Sequence, residues 1–365
     1  MSEITKESID ISAADNFENL SRAYFYLGQL EDAKHYAELA LDIKQRYYGA
    51  RDIKTASALV SLGNVYLQLR DSKNAIDLYT LALTIQEQHY GKDHIKTAAT
   101  LGNLGMIYTS LGKYEESEEL NQRALNIKED YHGKDHVETE SFLINLGDVY
   151  FLTGKIKEAK VCYERALTIA EAYYGNDSFN IAPALGSLGN IYAASEDFIN
   201  AVEYYKKCLA IQERYYGEEH FECAKSLVNL GNAYYELNQL EEAEVCNQRA
   251  LKIKENLYGK CHLETAIALA NLGNIYDKLG ELEKAVDYSK QALEIVKNNY
   301  GEYHIRCLHH LTDVGNLCQK LGNYSEAKAY FEQALKIQEN YYNVDHVDVS
   351  ITTSSNQKNS PSPDF

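Results

Sequence analysis

The chain contains no tryptophan, two methionines and only three prolines in 365 residues. So few breakers fit long packed helices, as do 45% apolar residues and 31 tyrosines. Basic residues are in short supply, 36 against 54 acidic ones, for a formal charge of −18. That balance argues against a general nucleic-acid binder, which would show a basic stripe, and against a polybasic membrane anchor. No apolar run approaches the roughly 20 residues of a membrane-spanning helix. The opening Met1-Ser2-Glu3-Ile4-Thr5-Lys6 has no apolar core of a signal peptide. Seven cysteines, an odd number without a CxxC pair, suit a reducing compartment. A cytoplasmic location without membrane insertion is the expectation.

What the chain has is a period. A glycine recurs at Gly49, Gly91, Gly133, Gly175, Gly217, Gly259 and Gly301 in steps of 42, and the next step lands on Asn343. A second column runs Gly63, Gly105, Gly147, Gly189, Gly231, Gly273, Gly315, and a small-residue column runs Ala33, Ala75, Ser117, Ala159, Ala201, Ala243, Ala285, Ala327. Eight such units cover residues 8–349. Residues 1–7 read as an N-terminal tail. Residues 350–365, polar and serine-rich, read as a disordered C-terminal tail. Each unit carries two helical patterns: Leu59, Leu62, Gly63 and Tyr66 at i, i+3, i+4, i+7, then Ala75, Tyr79, Ala82 and Ile85. An array of this kind is one elongated domain in which each unit touches its neighbours and stability comes from stacking.

The glycines divide by role. Gly28, Gly112, Gly154, Gly280 and Gly322, with Asn238, follow the first helix and read as left-handed caps; Arg70 and Glu196 depart from that pattern. The Gly49 column reads as the same kind of cap on the second helix. The Gly63 column lies mid-helix, where glycine costs roughly 1 kcal/mol against alanine. A close approach opposite the small residue of the Ala75 column would offset that cost. Together these columns use 19 of the 21 glycines, leaving Gly102 and Gly186 and no phosphate-binding loop.

The pattern Leu59-x2-Leu62-Gly63-x2-Tyr66, then Ala75-x3-Tyr79, resembles the tetratricopeptide repeat. Here the second helix runs on to Tyr47-Tyr48, Tyr173-Tyr174 or Tyr215-Tyr216 before a Gly-x-x-His turn, and the period is 42. This longer form is similar to the repeats of kinesin light chains and nephrocystin-type proteins. The resemblance implies an all-α, right-handed superhelical solenoid of about eight antiparallel helix pairs, whose first helices line a concave groove that binds peptide segments. About ten residues precede the first repeat, too few for a heptad region joining a motor heavy chain, so the cargo-adaptor role is not carried over.

Candidate chemistry is sparse. Histidines recur at His94, His136, His220, His262, His304 and His346. One per repeat is too far apart to share a metal ion, whose bonds are about 2 Å. They read as turn residues, with Asp93, Asp135 and Asp345 as N-cap candidates. Cys307 and His310, three apart, are the single seed for a metal site or an enzymatic reading. The cysteines fall mostly on core columns: Cys318 for the first-helix tyrosine, Cys208 for the second-helix alanine, and Cys162 and Cys246 among Leu78, Leu120 and Tyr204. No nucleophile elbow, HExxH or carboxylate pair is present, so no enzyme activity, cofactor or metal is expected.

One face of each first helix is left unused by the core. Its positions, four per helix at i, i+4, i+7, i+11, give ten asparagines in 32 residues. Asparagine is a middling helix former, so its frequency needs a reason. Its amide is both donor and acceptor, and a ladder of amides can pair with the backbone of an extended peptide whatever that peptide's side chains. The amides can equally bond one another across neighbouring first helices. The candidate peptide-binding residues are Asn64, Asn103, Asn145, Asn190, Lys225, Asn229, Asn232, Asn271, Asn274, Lys278, Asn316 and Lys320. Arg22, Lys225, Lys278 and Lys320 against Asp15, Asp148, Glu236 and Asp313 make the line formally neutral. The three C-terminal lysines point to an acidic peptide there. The expected role is a non-enzymatic scaffold or adaptor that binds a protein or peptide partner. A self-associating array and an enzyme-associated subunit are the alternatives, and oligomerisation is possible without being indicated.

Overall fold

The computed structural model describes residues 2–342. Asn343, Asp345, His346 and the tail at 350–365 lie outside the described residues. Among those described, the chain forms sixteen α-helices and no strand. They are α1 Ser2–Tyr26, α2 Leu30–Tyr48, α3 Ile53–Gln68, α4 Ser72–Tyr90, α5 Ile95–Ser110, α6 Tyr114–His132, α7 Glu140–Leu152 and α8 Ile156–Tyr174. Then come α9 Ala182–Ala194, α10 Phe198–Tyr216, α11 Phe221–Glu236, α12 Leu240–Tyr258, α13 Leu263–Leu279, α14 Leu282–Tyr300, α15 Cys307–Lys320 and α16 Tyr324–Tyr342. Helix α1 begins at Ser2, so helix already covers residues set apart as a tail in the sequence.

The chain divides between Ile191 and Tyr192 into two compact units. In the first, α1/α2, α3/α4, α5/α6 and α7/α8 pair most closely, and each second helix packs on the first helix of the next pair. In the second unit α11/α12, α13/α14 and α15/α16 do the same. The seam of each pair is the small-residue column: Ala33, Ala75, Ser117, Ala159, Ala201, Ala243 and Ala285 are all 0% exposed. Leu59, Leu101, Leu143, Leu227, Leu269 and Leu311 are buried as well, Leu59 against Ala82 and Ile85.

The mid-helix glycines do approach the small column, Ser117 Oγ donating to Gly105 O at 2.7 Å, but the space of the missing Cβ is taken by a further residue. A Cβ on Gly63 would stand 2.9 Å from the Tyr79 ring, on Gly147 2.6 Å from Tyr163, on Gly105 2.5 Å from the Asn121 amide and on Gly273 2.3 Å from the Ser289 hydroxyl. The residue facing each glycine is therefore four places beyond the small column, one turn further along the second helix. Gly102 is explained likewise: a Cβ there would meet the Phe142 ring at 2.7 Å, so its absence admits a core side chain.

The two cap columns differ. Gly28, Gly112, Gly154, Gly280 and Gly322 have φ of 71–80°. Arg70, Glu196 and Asn238 take the same left-handed conformation at φ 59°, 60° and 58°. The turn is imposed by its bonds: Asp71 N donates to Tyr66 O at 2.9 Å and Arg70 N to Leu67 O at 3.1 Å, closing the helix whatever the side chain. The Gly49 column instead sits at φ 86–96° with ψ 153–164°, a region essentially confined to glycine rather than the left-handed helical region.

The histidines cap helices directly. Nδ1 of His94, His136, His220, His262 and His304 accepts from the backbone N–H two residues on, at 3.1–3.3 Å. Asp52 and Ser178 do this at the equivalent positions. Asp93 and Asp135 are not the caps; they pair with Arg123 and Arg165 on the next second helix. Each capping ring also stacks on the aromatic ring four residues earlier, Tyr216–His220 at 4.0 Å and Tyr258–His262 at 4.7 Å between centroids.

Candidate functional site

The free face of the first helices lies where the spacing placed it. None of the twelve candidate residues is buried. Lys225, Asn232, Asn274, Lys278 and Lys320 are exposed; Asn64, Asn103, Asn145, Asn190, Asn229, Asn271 and Asn316 are half-buried. Asn64, Asn103, Asn145 and Asn190 belong to the first unit and the other eight to the second.

Two pairs of amides are bonded directly to one another, and one member of each also bonds a side chain from the second helix. In the first unit, Tyr79 Oη donates to Asn64 Oδ1 at 2.6 Å, and Asn103 Nδ2 donates to the same oxygen at 3.2 Å. Burial pushes the Tyr79 phenol well above its ordinary value, so it stays protonated and a donor. In the second unit, Asn271 Nδ2 donates to Asn232 Oδ1 at 2.9 Å and to Asn247 Oδ1 at 3.1 Å. Tyr163 Oη donates to Asp148 Oδ1 at 2.6 Å in the same manner. The bonds fix the amides' orientation and determine what remains. Asn64 and Asn232 have their acceptors occupied and keep Nδ2 donors; Asn103 and Asn271 keep Oδ1 acceptors. Each cluster thus offers one donor and one acceptor side by side.

The ladder is broken at the third pair. Asn121 occupies the place of Asn247 and makes the same bond from Nδ2 to the carbonyl four residues back, at 3.0 Å in both cases. Asn145 occupies the place of Asn271, but Met106 stands where Asn232 does, and no side chain among the described residues bonds the Asn145 amide. Asn121 Oδ1 is left buried with no hydrogen bond.

The charged members are more engaged than their spacing suggests. Lys278 Nζ lies 3.8 Å from the Tyr235 ring centroid and donates to Tyr235 O at 3.0 Å. Lys320 is paired with Asp277 at 2.5 Å, a carboxylate beside the line rather than on it. Asp313 takes an asparagine's position and pairs with His309 at 3.1 Å; burial raises its carboxyl, His309 opposes this and Asp277 adds to it. Lys225 alone of the three lysines is exposed without a hydrogen bond or ion pair among the described residues.

Seven overlapping stretches, 10–88, 62–130, 96–172, 138–211, 180–256, 239–298 and 264–340, match the model of the tetratricopeptide repeat. The chain belongs to the tetratricopeptide-repeat family. Among solved structures it is similar to BtubC (BKLC) of P. vanneervenii, at 22% identity over 69% of this chain and 92% of that one, TM-score 0.52. It is also similar to a kinesin-light-chain-type protein of Podospora anserina with nearly identical TPR-like repeats, at 22% identity over 57% of this chain and 99% of that one, TM-score 0.51. The apo form of RapI, at 15% identity over 78% and 97%, gives a TM-score of 0.59. These likenesses concern the fold. A search of curated proteins found no match.

Tetratricopeptide repeats generally mediate protein–protein interactions and typically act as non-enzymatic scaffolds. In this tetratricopeptide-repeat chain the one seed of an enzymatic reading is a core thiol: Cys307 is 0% exposed, its Sγ donates to Gly301 O at 3.3 Å, and burial pushes the thiol up. Thr55 and Thr265 make the same bond at the equivalent positions, to Gly49 O and Gly259 O. No group of three or more His, Cys, Asp and Glu among the described residues is placed to take a metal ion. No described helix is long and apolar enough to cross a membrane.

Sequence reasoning missed the second-helix side chains beneath the amide line, Tyr79, Asn121, Tyr163, Asn247 and Ser289. Their signal was available: they form a column of the same period, directly opposite the mid-helix glycines.

Proposed function

We propose that the amide-bearing face in each unit captures an extended segment of a partner protein by its backbone, and that the chain is a scaffold or adaptor. One observation carries the reading. The bonded clusters Tyr79–Asn64–Asn103 and Asn247–Asn271–Asn232 each leave a donor and an acceptor adjacent and unbonded. An extended peptide presents C=O and N–H groups in the same alternation. Because the amides are already fixed, little side-chain entropy is lost on binding, a cost of about 0.5–1.5 kcal/mol per side chain where they are not. Selectivity comes from the members between the amides: Met106, Leu152 and Pro183 in the first unit, charged groups in the second. The engaged state of Lys278 and Lys320 leaves Lys225 as the cation most available to an acidic partner residue there.

The test is a peptide array on the full chain, with binders remeasured by fluorescence polarisation. Asn229, Asn232, Asn271 and Asn274 changed together to alanine should weaken second-unit binders at least tenfold, with sequence-unrelated binders affected alike. Binders that keep their affinity in this variant and in Asn64→Ala/Asn103→Ala would remove the face from consideration.

A further inference from the structure

We propose that the first unit contains a carboxylate-binding site between α2 and α3, formed by Lys44 and Lys54. The argument comes from comparing equivalent places within the chain. Lys128 and Lys254 occur near the ends of second helices, and each meets a glutamate ten residues on: Lys128 Nζ lies 2.8 Å from Glu138 and Lys254 Nζ 2.9 Å from Glu264. In both cases the start of the next pair supplies the anion, from the turn just before α7 for Glu138 and from the first turn of α13 for Glu264, to a lysine whose side chain is 13% or 7% exposed. Lys44 is the equivalent lysine, with its side chain also 7% exposed. Ten residues on from it stands Lys54. The position that delivers a carboxylate to Lys128 and Lys254 delivers a second cation here; Lys96 and Arg306 are also cations at this position, but neither has a lysine ten residues before it.

The local structure shows the consequence. Lys44 turns back within its own pair, to Glu18 at 2.7 Å and Asp15 at 3.6 Å. Lys54 has no carboxylate partner among the described residues and rests over the Tyr48 ring, 4.4 Å from its centroid. A cavity of about 250 Å³ remains, lined by Asp15, Lys44, Tyr48, Lys54 and Ser57. A carboxylate entering it meets the two ammonium groups, with Tyr48 against its methylenes; the Ser57 hydroxyl at the rim donates to Lys54 O at 2.8 Å. Asp15, the longer of the two Lys44 contacts and 70% exposed, gives way to solvent. Lys44, Lys54, Glu18 and the incoming anion then balance in charge, the condition for a buried ionic group to be tolerated. Charge-assisted bonds to two ammonium groups are the strong kind.

Asp15 and Ser57 are also the outermost positions of the amide line on α1 and α3. The carboxylate therefore belongs to a glutamate or aspartate side chain of the captured segment. For that source, though not for the site itself, the inference rests on the proposed function.

Two measurements on the full chain separate the two. Sodium glutarate is titrated while the Lys54 and Ser57 amide signals are followed by TROSY NMR, against sodium chloride at equal ionic strength. Saturable shifts are expected in the wild type. They should be absent in Lys54→Glu, which installs the carboxylate found beside Lys128 and Lys254 and should fold at least as stably. Asp15→Asn should bind glutarate about threefold more tightly. Shifts equal to those from chloride, or unchanged in Lys54→Glu, overturn the site. Second, fluorescein-labelled peptides alternating glycine with glutamate or with glutamine are compared. A glutamate preference of at least tenfold in the wild type that disappears in Lys54→Glu supports the peptide source. Glutarate shifts without binding of either peptide leave the site standing and count against peptide capture. Equal peptide binding by both proteins without glutarate shifts does the reverse.

Discussion

Replacing Gly63 by alanine tests the architecture and the site together. In an exposed helix interior the change gains about 1 kcal/mol. Here the new Cβ would lie 2.9–3.1 Å from three atoms of the Tyr79 ring. That ring is 0% exposed, and its hydroxyl is bonded to Asn64, so it cannot retreat without opening the cluster with Asn103. Overpacking of this kind costs about 1–3 kcal/mol and the lost hydrogen bond about 1 more. The net expectation is destabilisation by about 2 kcal/mol, with the propensity gain outweighed. Gly273 is the internal control. Its obstacle is the Ser289 hydroxyl, which a rotation about χ1 removes, and the next atom, Ala285 O, is 3.4 Å away. Gly273→Ala should be neutral or slightly stabilising. Because repeat arrays do not unfold as one two-state unit, the readout is local. Hydrogen exchange followed by mass spectrometry should show faster opening in peptides from α3 and α4 for Gly63→Ala and no change in α13 and α14 for Gly273→Ala. Protection of α3 and α4 equal to wild type in Gly63→Ala would refute the reasoning.

Other substitutions follow from single contacts. His262→Ala should cost about 1 kcal/mol through loss of the cap on Glu264 N, whereas His262→Asp should cost little, since Asp52 caps α3 in that way; exchange of the first turn of α13 reports the difference. Arg70→Gly and Glu196→Gly should each stabilise by about 0.5–1 kcal/mol, because relief of a left-handed side chain exceeds glycine's added entropy loss; slower hydrogen exchange in the flanking helices checks this. Met106→Asn should fix the Asn145 amide over the buried Asn121 Oδ1 and slow exchange in α6 and α7. Asp313→Asn should slow hydrogen exchange in α15 at neutral pH. The Asp313 carboxyl is raised in the folded chain, chiefly by burial, so the folded state takes up a proton more readily than the unfolded one. Stability therefore falls as pH rises through the folded value, and the variant's advantage should vanish below the ordinary carboxylate range.

The repeat was legible because the strictest requirements fall on glycine, which no other residue replaces cheaply. The column at φ 86–96° tolerates almost nothing else, and it gave the period directly. Arg70 and Glu196 were harder to read for the converse reason. A left-handed turn closed by two backbone bonds can force a side chain to follow, so the conformation persists where the sequence mark is lost. The histidine caps were assigned to the neighbouring aspartates because Asp is the more familiar cap. Only geometry shows Asp93 and Asp135 reaching across to Arg123 and Arg165 instead.

The site was half legible, and the missing half is the more informative. Helical spacing placed the asparagines on one line, since that depends on periodicity alone. Which of their hydrogen-bonding groups stay available depends on a residue from another helix, and that residue varies: Tyr79, Asn121, Tyr163, Asn247, Ser289. A phenol can donate to an acceptor of the line, and an amide can accept from a donor. Tyr79 under Asn64 and Asn247 under Asn271 therefore reach similar surface patterns by opposite means. The glycine opposite is what lets groups of such different size share one column. On the proposed function, the mid-helix glycine column would serve recognition as well as packing. Without it the column beneath would be restricted to small residues, and the amides above would lose the partners that orient them.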